Sequence, residues 1–557
     1  MKTADVFTAS LPPLPLPEEM RLWDAEAMAL GLPEVLLMEN AGRAAFEVLR
    51  LHVPDISKQR ALIFMGGGNN GGDAACLARR LLDAGTRVLV AHTKPLGHYK
   101  GAAARHIRLA GAVGAPFVPL RRGSLDKVFG AKGLGAEDFS IVVDGLAGSG
   151  LEGELRQPLR GIVESLNSLS GRFVLALDIP SGLSGVTGRP CPVAVRADAT
   201  VSFAAAKPGL VLPWARTWTG RMHVRDIGIP ACVRSRAPCA ARLLDAGCLA
   251  HLPEIPEGAH KSVFGHVLVI GGIPRYSGAA HLAARAALRA GAGLVSVASP
   301  AGAEGRIKDG LPEIMALPLG EPGGGAWPTT LPEDLSVLLR RCDALVIGPG
   351  MGRTGEARVF LAAALALPGR PPAVIDADAL ALLAGCGEAT RHVTGDDVIT
   401  PHPGEAAALL CTTAAEIQAD RFAALGALCR LLPCVVVLKG AGCLTGRAGE
   451  AALISPYDVP QLAVGGSGDV LAGCIGALLS RTRLSAGANS GLSLACAGMG
   501  VTLHALAGLE CAVSWPARGN GASDIADALP RVWAKARRGN GGNAVSRNVA
   551  SHDVDFA

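Results

Sequence analysis

Short, continuous apolar runs alternate with Ala- and Leu-rich helical patterns along most of the chain, and this alternation restricts the fold more than any other feature. Strands that are apolar without interruption, when separated by helices, are typical of a parallel sheet covered by helices on both faces. The sequence therefore predicts an α/β fold, with ligands bound at the carboxyl ends of its strands. In the first half the apolar runs are Ala61–Met65, Val88–Ala91, Ile141–Val143 and Val174–Leu177.

The alternation pauses once, and the pause divides the chain into two domains. It stops after Asp226–Pro230 and resumes at Val267, which places a boundary near residue 240. A length of 557 residues also exceeds what one ordinary core supports. We therefore expect domains at residues 20–240 and 245–535. By composition, residues 1–19 are expected to form a flexible tail and residues 536–557 a disordered one.

Composition excludes several classes of function. The net charge of +5 is small for this length, and aromatic residues make up only 4% of the chain. Neither a basic surface nor stacking platforms for nucleic acid are therefore expected. The 14 cysteines contain no Cys-x-x-Cys pair, which favours free thiols in a reducing compartment. The N-terminus lacks the apolar stretch of a signal peptide, so we expect a cytoplasmic protein.

One uncharged stretch, Leu484 to Leu509, is long enough to span a bilayer. It contains an asparagine, a histidine and many glycines, which favours buried helices in a soluble core over a membrane span. We therefore expect no membrane partner.

Polar residues follow three strands of the first half. The turn Gly66–Asp73 joins a strand to a helix, which is the geometry of a phosphate or nucleotide cradle. Asp144 and Asp178 each end a strand and are followed by small residues. Both carboxylates could simply cap the helices that follow them. A carboxylate or amide at three strand ends nevertheless indicates a binding site.

These motifs resemble those of the NAD(P)H-hydrate epimerase domain over about residues 20–230. The resemblance implies a Rossmann-like three-layer α/β/α domain that interconverts the two epimers of nicotinamide dinucleotide hydrated at C6. The motifs that carry it occur in the family's order: Leu37–Gly42, Asn69–Asp73, Asp178–Gly182, Ala197–Phe203 and Lys207–Gly209.

The resemblance also implies roles for individual residues. Asp178 would be the catalytic acid or base and would also contact the substrate. A potassium ion would be bound by Asn70, Asp144 and Ser181, whose oxygen atoms suit a hard cation. The remaining substrate-binding residues would be Asn69, Asn70, Gly71, Gly72, Asp73, Gly148, Ser149 and Gly150.

The second half contains a glycine turn, Gly465–Asp469, that leads into a helical run. Backbone N–H groups at such a turn attract anions, and Asp469 lies where a base could take a hydroxyl proton. A turn before a helix also needs glycine for geometric reasons alone. Lys439 ends a strand, and His402 lies between prolines in a rigid turn; each is ambiguous taken singly. Together these residues make a phosphoryl-transfer set.

Residues 245–535 resemble the ADP-dependent NAD(P)H-hydrate dehydratase, which has a ribokinase-like three-layer α/β/α fold. The resemblance implies that Asp469 removes the proton of the C6 hydroxyl while ADP phosphorylates that oxygen. Ala292, Gly350 and His402 would contact the hydrate together with Asp469. Mg²⁺ is expected with the nucleotide, and Glu405 is the candidate to orient it, through water. The adenine nucleotide would be held by Lys439, Gly440, Ala441, Gly442, Cys443 and Gly468.

The leading hypothesis is a bifunctional repair enzyme that equilibrates the epimers of NADH and NADPH hydrates and dehydrates the S epimer, giving AMP and phosphate. We expect K⁺, Mg²⁺ and ADP as its small-molecule requirements, and a homo-oligomer as its assembly. An alternative keeps the C-terminal fold as a ribokinase-like small-molecule kinase and makes the N-terminal half a binding or dimerisation module. A kinase would accumulate a phosphorylated product, whereas the dehydratase would release phosphate.

Overall fold

The computed structural model describes residues 3–120, 128, 133–150, 153–169, 171–385, 387–485, 492–541 and 551–554. They form two α/β units. The N-terminal unit consists of Pro13–Arg242 together with the strand Ser551–Val554. The C-terminal unit consists of the described parts of residues 1–12 and 243–545. The division falls next to the boundary predicted near residue 240.

The strands are short, as expected for a sheet covered on both faces. Their bounds are β1 Pro13–Leu14, β2 Arg60–Met65, β3 Arg87–His92, β4 Phe117–Pro119, β5 Ile141–Gly145, β6 Phe173–Leu177, β7 Ala199–Phe203, β8 Arg221–Arg225, β9 Ala241–Leu243, β10 His266–Ile270, β11 Leu294–Pro300, β12 Met315–Leu319, β13 Ala344–Ile347, β14 Ala373–Ile375, β15 Val398–Ile399, β16 Val435–Leu438, β17 Leu444–Gly446, β18 Ala452–Ile454 and β19 Ser551–Val554.

The helices lie mostly between consecutive strands. Their bounds are α1 Thr3–Ser10, α2 Pro17–Ala29, α3 Glu34–His52, α4 Asn69–Asp83, α5 Gly101–Ala112, α6 Leu159–Asn167, α7 Arg216–Thr219, α8 Ala231–Arg236, α9 Ser277–Arg289, α10 Glu304–Lys308, α11 Glu333–Arg341, α12 Gly355–Ala366, α13 Asp378–Leu383, α14 Gly387–Thr390, α15 Pro403–Leu410, α16 Ala414–Ala419, α17 Arg421–Leu431, α18 Ser467–Ser485, α19 Leu492–Ser514 and α20 Ala522–Gly541.

The sheet of the N-terminal unit has the order β19-β8-β7-β6-β5-β2-β3-β4. Its neighbouring strands are parallel except for β19, which pairs antiparallel with β8. From β2 the chain proceeds to β3 and β4 on one side, and then to β5 and its successors on the other. The crevice outside the carboxyl ends of β2 and β5 is therefore a topological switch point, where open α/β sheets bind ligands.

Side chains that alternate along the central strands fill two cores, one on each face of this sheet. Val143 packs in a cluster with residues of α3, α4 and α5, whereas the adjacent Val142 packs in a second cluster with residues of α6. Both valines are fully buried. The three-layer arrangement predicted for this half is therefore present, because a strand buried on both faces must be apolar at every position.

The C-terminal unit contains the sheet order β18-β17-β16-β15-β14-β13-β10-β11-β12. The strands from β16 to β12 are parallel, and the hairpin partners β17 and β18 extend the sheet in antiparallel fashion. β10 lies between β11 and β13, so a second switch point lies at its carboxyl end. The predicted α/β architecture of this half is thus also confirmed.

Small residues allow the helices of the C-terminal unit to pack closely. A Cβ atom on Gly473 of α18 would lie 2.0 Å from the carbonyl oxygen of Ala283 in α9, so these helices meet backbone to backbone. Among the described residues, α19 is long and apolar enough to cross a membrane by length and composition, but 83% of its most apolar window is buried inside the unit. Core helices commonly meet the same criterion.

Both expected tails contain regular structure, which corrects the sequence-based interpretation. In the stretch 1–19, Phe7 of α1 and Leu11 are each 3% exposed and belong to the core of the C-terminal unit. Their spacing of four residues places both on one side of the chain as it leaves the helix. In the stretch 536–557, α20 continues to Gly541 and β19 covers Ser551–Val554. Residues 542–550 and 555–557 lie outside the described part.

Candidate active sites

The first candidate site lies where β2 and β5 end. A Cβ atom on Gly66 would lie 1.7 Å from the carbonyl oxygen of Leu146, and one on Gly71 would lie 2.1 Å from the carbonyl oxygen of Gly66. Only glycine permits these approaches, so the turn after β2 is pressed against the loop after β5. A Cβ on Gly72 would collide with the Met38 side chain, which makes Gly72 a packing residue between α3 and α4. Sequence reasoning assigned Gly71 and Gly72 only to substrate binding.

A buried polar cluster joins the ends of β5 and β6. The fully buried Asp144 accepts hydrogen bonds from the backbone N–H of Ser181 at 2.7 Å and from its hydroxyl at 2.6 Å. Burial raises the pKa of Asp144 to about 6, although the Ser181 hydrogen bonds oppose the shift. Both amide atoms of Asn70 are buried and find no hydrogen-bond partner among the described residues. An unpartnered buried amide beside such a cluster is what a ligand site requires.

Asp178 directly follows β6 and adopts a left-handed backbone conformation, with φ of 64°. Its Oδ2 accepts the backbone N–H of Ser149 at 3.2 Å, and its Oδ1 accepts a hydrogen bond from the ammonium of Lys207. The Lys207 side chain is only 1% exposed, and its Nζ also donates to the hydroxyl of Ser202 at 3.0 Å. The buried ammonium therefore fixes the position of the Asp178 carboxyl group.

Two further carboxyl groups face the Asp178–Lys207 pair. Burial raises the pKa of Asp73 well above its ordinary value, and the charges of Asp178 and Asp24 add to the effect. Burial likewise raises the pKa of Asp24 to about 6, with Lys207 acting in the opposite direction. The site therefore combines a carboxylate paired with a buried ammonium and two carboxyl groups whose pKa values are raised, which is an arrangement suited to acid–base chemistry.

A cleft of about 570 Å³ opens beside Asp178 in the N-terminal unit. Gly148 and Ser149 line it, and a Cβ on Gly148 would lie 3.3 Å from Oδ2 of Asp178 and 3.4 Å from the Asn70 side chain. Its volume is typical of a site for a small ligand. The exposed Asn69 hydrogen bonds Glu34 at 3.2 Å. The structure thus brings Asn70, Gly148, Ser149 and Asp178 together.

Lys207 and Asp24 are the functional candidates that sequence reasoning missed in this unit. Lys207 was noted only as part of the motif Lys207–Gly209, and its position after β7 was the available signal. Asp24 lies in α2, outside every strand-end motif, so no local pattern identified it.

The second candidate site lies at the carboxyl edge of the parallel strands in the C-terminal unit. Lys439 follows β16 and donates a hydrogen bond of 2.7 Å to Oδ1 of Asp376, which follows β14. The same ammonium lies 3.8 Å from Oε2 of Glu405 in α15. Asp376 and Glu405 are 1% and 8% exposed, so the three charges form one buried cluster. Sequence reasoning noted Asp376 at a strand end without giving it a role.

Asp469 lies in the first turn of α18 and belongs to the same electrostatic system. Burial raises its pKa to about 8; the charge of Asp376 contributes in the same direction, and Lys439 opposes it. Burial also raises the pKa of Glu405 to about 7, against the influence of Lys439. A carboxyl group with a pKa near 8 is poised to accept a proton near neutral pH.

The turn before α18 has the shape of an anion site. Gly466 has φ of 89°, and a Cβ on Gly468 would lie 3.2 Å from Nζ of Lys439 and 3.8 Å from Oδ2 of Asp376. The first backbone N–H groups of a helix have no intrahelical acceptor and favour negative charge. Glycine at 468 therefore leaves room for an anion between the helix start and the lysine.

The segment Lys439–Cys443 forms a loop that is exposed at Gly440 and Ala441 and contacts the buried Arg421. Gly440 and Gly442 have φ of 131° and 60°. The buried guanidinium of Arg421 donates to the carbonyl oxygens of Leu438 at 3.0 Å and Lys439 at 3.2 Å. Sequence reasoning missed Arg421, because its role depends on the packing of α17 against β16. Gly440 and Ala441 remain accessible, as a nucleotide-binding segment requires.

His402 caps the helix α15. Its Nδ1 accepts the backbone N–H groups of Gly404 at 3.0 Å and Glu405 at 3.2 Å, while Glu405 accepts the backbone N–H of His402 at 2.8 Å. Burial and Lys439 lower the pKa of His402, which keeps the ring neutral. Its side chain is 56% exposed, so the ring remains open to a ligand. Gly350, with φ of 60°, lies three residues after the end of strand β13.

Ala292 does not join this set, which corrects its assignment as a substrate contact. It precedes β11, and the next residue, Gly293, donates its backbone N–H to the carbonyl of Gly265, just before β10. Because β10 and β11 are parallel, Ala292 lies at the amino edge of the sheet, opposite Lys439 and Asp469. The motif around it packs helix against strand.

Comparison with protein families identifies both halves. Residues 34–209 match the model described as YjeF-related protein N-terminus, and residues 267–531 match the model described as NAD(P)H-hydrate dehydratase. Among solved structures, one similar to this chain is the ADP/ATP-dependent NAD(P)H-hydrate dehydratase of Bacillus subtilis, co-crystallised with ATP and Mg²⁺. The two sequences are 23% identical and the TM-score is 0.41; the match covers 52% of this chain and 96% of the Bacillus subtilis chain.

Two curated relatives extend over both halves, and each is called a bifunctional NAD(P)H-hydrate repair enzyme. The one from Moorella thermoacetica is 38% identical, covering 92% of this chain and 94% of the relative. The one from Escherichia coli is 35% identical, with corresponding coverages of 92% and 93%. Identity at this level over nearly the whole length shows that the chain belongs to the family of bifunctional NAD(P)H-hydrate repair enzymes.

Proposed function

We propose that the N-terminal unit epimerises the R and S hydrates of NADH and NADPH, and that the C-terminal unit dehydrates the S epimer with ADP as phosphoryl donor. The observation that carries the proposal is a pair of strand-end sites, one in each unit. In the N-terminal unit, the candidate catalytic Asp178 forms an ion pair with the buried Lys207. In the C-terminal unit, Lys439 forms an ion pair with Asp376, and the candidate catalytic Asp469 interacts with both charges. The family membership of the whole chain supports the assignment of the two reactions.

In the proposed epimerase, Asp178 is the acid or base. C6 of the hydrate carries both the ring nitrogen and the hydroxyl, so its configuration inverts only when one of these bonds breaks and re-forms on the other face. Either course requires proton transfer at the hydroxyl oxygen. Lys207 holds Asp178 in place through their ion pair, and the raised pKa of Asp73 favours the form of that carboxyl group that can donate a hydrogen bond to the substrate. The cleft lined by Gly148 and Ser149 would hold the nucleotide.

A potassium ion is proposed at Asn70, Asp144 and Ser181. The residues fit such an ion chemically, because amide, carboxylate and hydroxyl oxygens suit a hard cation and the buried amide oxygen of Asn70 has no partner among the described residues. When bound, the ion would supply positive charge that orients the polar part of the substrate. Asp144 would hold it by its carboxylate, and Ser181 keeps that carboxylate in a fixed orientation through two hydrogen bonds.

In the proposed dehydratase, Asp469 takes the proton of the C6 hydroxyl while the hydroxyl oxygen of the hydrate attacks the β-phosphorus of ADP. The new O–P bond forms as the bond to AMP breaks. The C6–O bond then breaks, and its electron pair leaves with phosphate. Loss of a proton from the neighbouring ring carbon restores the double bond. The N–H groups at the start of α18 and the Lys439 ammonium stabilise the charge on the transferred phosphoryl.

Mg²⁺ is proposed to enter this site on the nucleotide phosphates. Glu405 fits a role through water, because its carboxylate already accepts the backbone N–H of His402 and lies near Lys439. Mg²⁺ commonly keeps several waters beside phosphate ligands, where it neutralises charge. Lys439 to Cys443 and Gly468 are the proposed nucleotide contacts, and Gly350 and His402 the proposed hydrate contacts.

The decisive experiment is repair of a mixed R/S NADH-hydrate sample by the purified protein with ADP, Mg²⁺ and K⁺. Dihydronicotinamide absorbance and phosphate release are followed together. Complete, rapid conversion is expected. A fast partial phase followed by spontaneous epimerisation would refute the epimerase, and a stable phosphorylated product would indicate a kinase instead.

A cytoplasmic location and a homo-oligomeric assembly are also proposed. The thirteen cysteines of the described residues are all free thiols, in keeping with a reducing compartment. Fractionation and light scattering test the two proposals separately.

A further inference from the structure

A buried histidine contacts the turn that precedes α18. His504, in the middle of α19, is 7% exposed, and Ser467, the first residue of α18, is 6% exposed. Nε2 of His504 lies 3.1 Å from the Ser467 hydroxyl oxygen. The two residues are 37 positions apart, and the contact links the core helix directly to the anion site. The roles assigned above use neither residue.

The protonation of His504 follows from its surroundings. Burial lowers the pKa of His504 to about 4; an interaction with Ser467 opposes that shift, while Lys439 reinforces it. The ring is therefore neutral near pH 7 and carries one N–H. With that proton on Nε2, the ring donates to the Ser467 hydroxyl oxygen, and the hydroxyl's own proton is available to another acceptor; with the proton on Nδ1, the hydroxyl donates to the ring instead.

We propose that His504 is a positioning residue that holds the Ser467 hydroxyl as a hydrogen-bond donor to the phosphoryl group transferred at the turn Gly466–Asp469. The inference rests on the proposed dehydratase function and adds a side-chain donor to the backbone N–H groups at the same helix start. No other hydrogen bond of the Ser467 hydroxyl is seen among the described residues. The fixed hydroxyl then donates its proton toward the negative charge that develops on the phosphoryl group during transfer. A preorganised donor accelerates a reaction by stabilising such charge.

The test compares kcat for dehydration of the S hydrate in four variants. Ser467→Ala and His504→Ala are each expected to lower kcat about 10²-fold, with the KM for ADP little changed, because the lost donor acts mainly on developing charge. The double variant should fall no further than either single one, since both remove the same hydrogen bond. His504→Gln, which offers an amide N–H in a similar place, should recover most of the activity.

A matched control distinguishes positioning from packing. Thr502→Val removes a fully buried hydroxyl from the same helix, where it donates to the carbonyl of Gly498 at 3.2 Å. It should lower thermal stability and leave kcat unchanged. An unchanged kcat in folded His504→Ala, or single effects that multiply in the double variant, would overturn the inference. A wild-type protein without ADP-dependent dehydration would instead overturn the proposed function, on which the inference depends.

Discussion

Replacing Lys207 with methionine tests the role of the buried ammonium in the N-terminal unit. Methionine fills a similar volume but removes the charge and the three N–H donors. The change leaves Asp178 without its cation and also removes the donor to the Ser202 hydroxyl at 3.0 Å and to the carbonyl of Ala205 at 3.2 Å. We expect epimerisation to be lost, because the Asp178 carboxyl group is no longer held in place by the ammonium.

The expected cost in stability follows from burial. The Lys207 and Asp178 side chains are 1% and 13% exposed. Removing one partner of a buried ion pair costs about 3–5 kcal/mol, because the other charge remains buried without compensation. For a unit of roughly 230 residues, 1 kcal/mol shifts Tm by about 2–4 °C, so a decrease of about 6–20 °C is expected. The double variant Lys207→Met with Asp178→Asn should regain part of this stability and remain inactive, because asparagine tolerates the left-handed backbone and leaves no unpaired charge.

Calorimetry and an epimerisation assay measure the two effects. The matched control is Lys58→Met, whose ion pair with Asp55 joins side chains that are 76% and 66% exposed and should contribute little. The reasoning is refuted if Lys207→Met is as stable as wild type, or if the double variant is less stable than the single one. Retained epimerisation in Lys207→Met would show that Asp178 does not need the ammonium.

Four further predictions concern the two sites. Asp178→Ala should abolish epimerisation and leave dehydration of the S epimer intact; loss of both activities in a folded variant would contradict independent sites. Asp469→Asn should bind ADP in calorimetric titrations but stop turnover. In the wild type, kcat/KM for dehydration should rise about tenfold per pH unit up to about pH 8 and then level off, because the base with the raised pKa must lose its proton; a rate independent of pH between 6 and 8 would exclude Asp469 as base. Asn70→Leu should remove the K⁺ dependence of epimerisation and raise stability slightly, since it replaces an unpartnered buried amide; unaltered K⁺ activation would place the ion elsewhere.

The strand-end motifs could be recognised in the sequence because each is local. Helices were predicted after Gly66–Asp73 and Gly465–Asp469; they are present but begin within the motifs, at Asn69 and Ser467, and Asp144 and Asp178 lie at adjacent strand ends. Errors arose where a motif had more than one structural use. The segment containing Ala292 has the pattern of the family, but it connects α9 to β11 at the amino ends of the parallel strands, opposite the candidate site.

By itself, the sequence determined the two α/β units, the family and the turns that carry the candidate bases, because apolar periodicity and glycine turns act over a few residues. Only the tertiary structure decided which charges meet. Lys207 reaches Asp178 across 29 positions and Lys439 reaches Asp376 across 63, and each contact depends on the order of strands in a sheet. The raised pKa of Asp469 has the same origin, since burial and neighbouring charges cause it and neither can be read from local sequence.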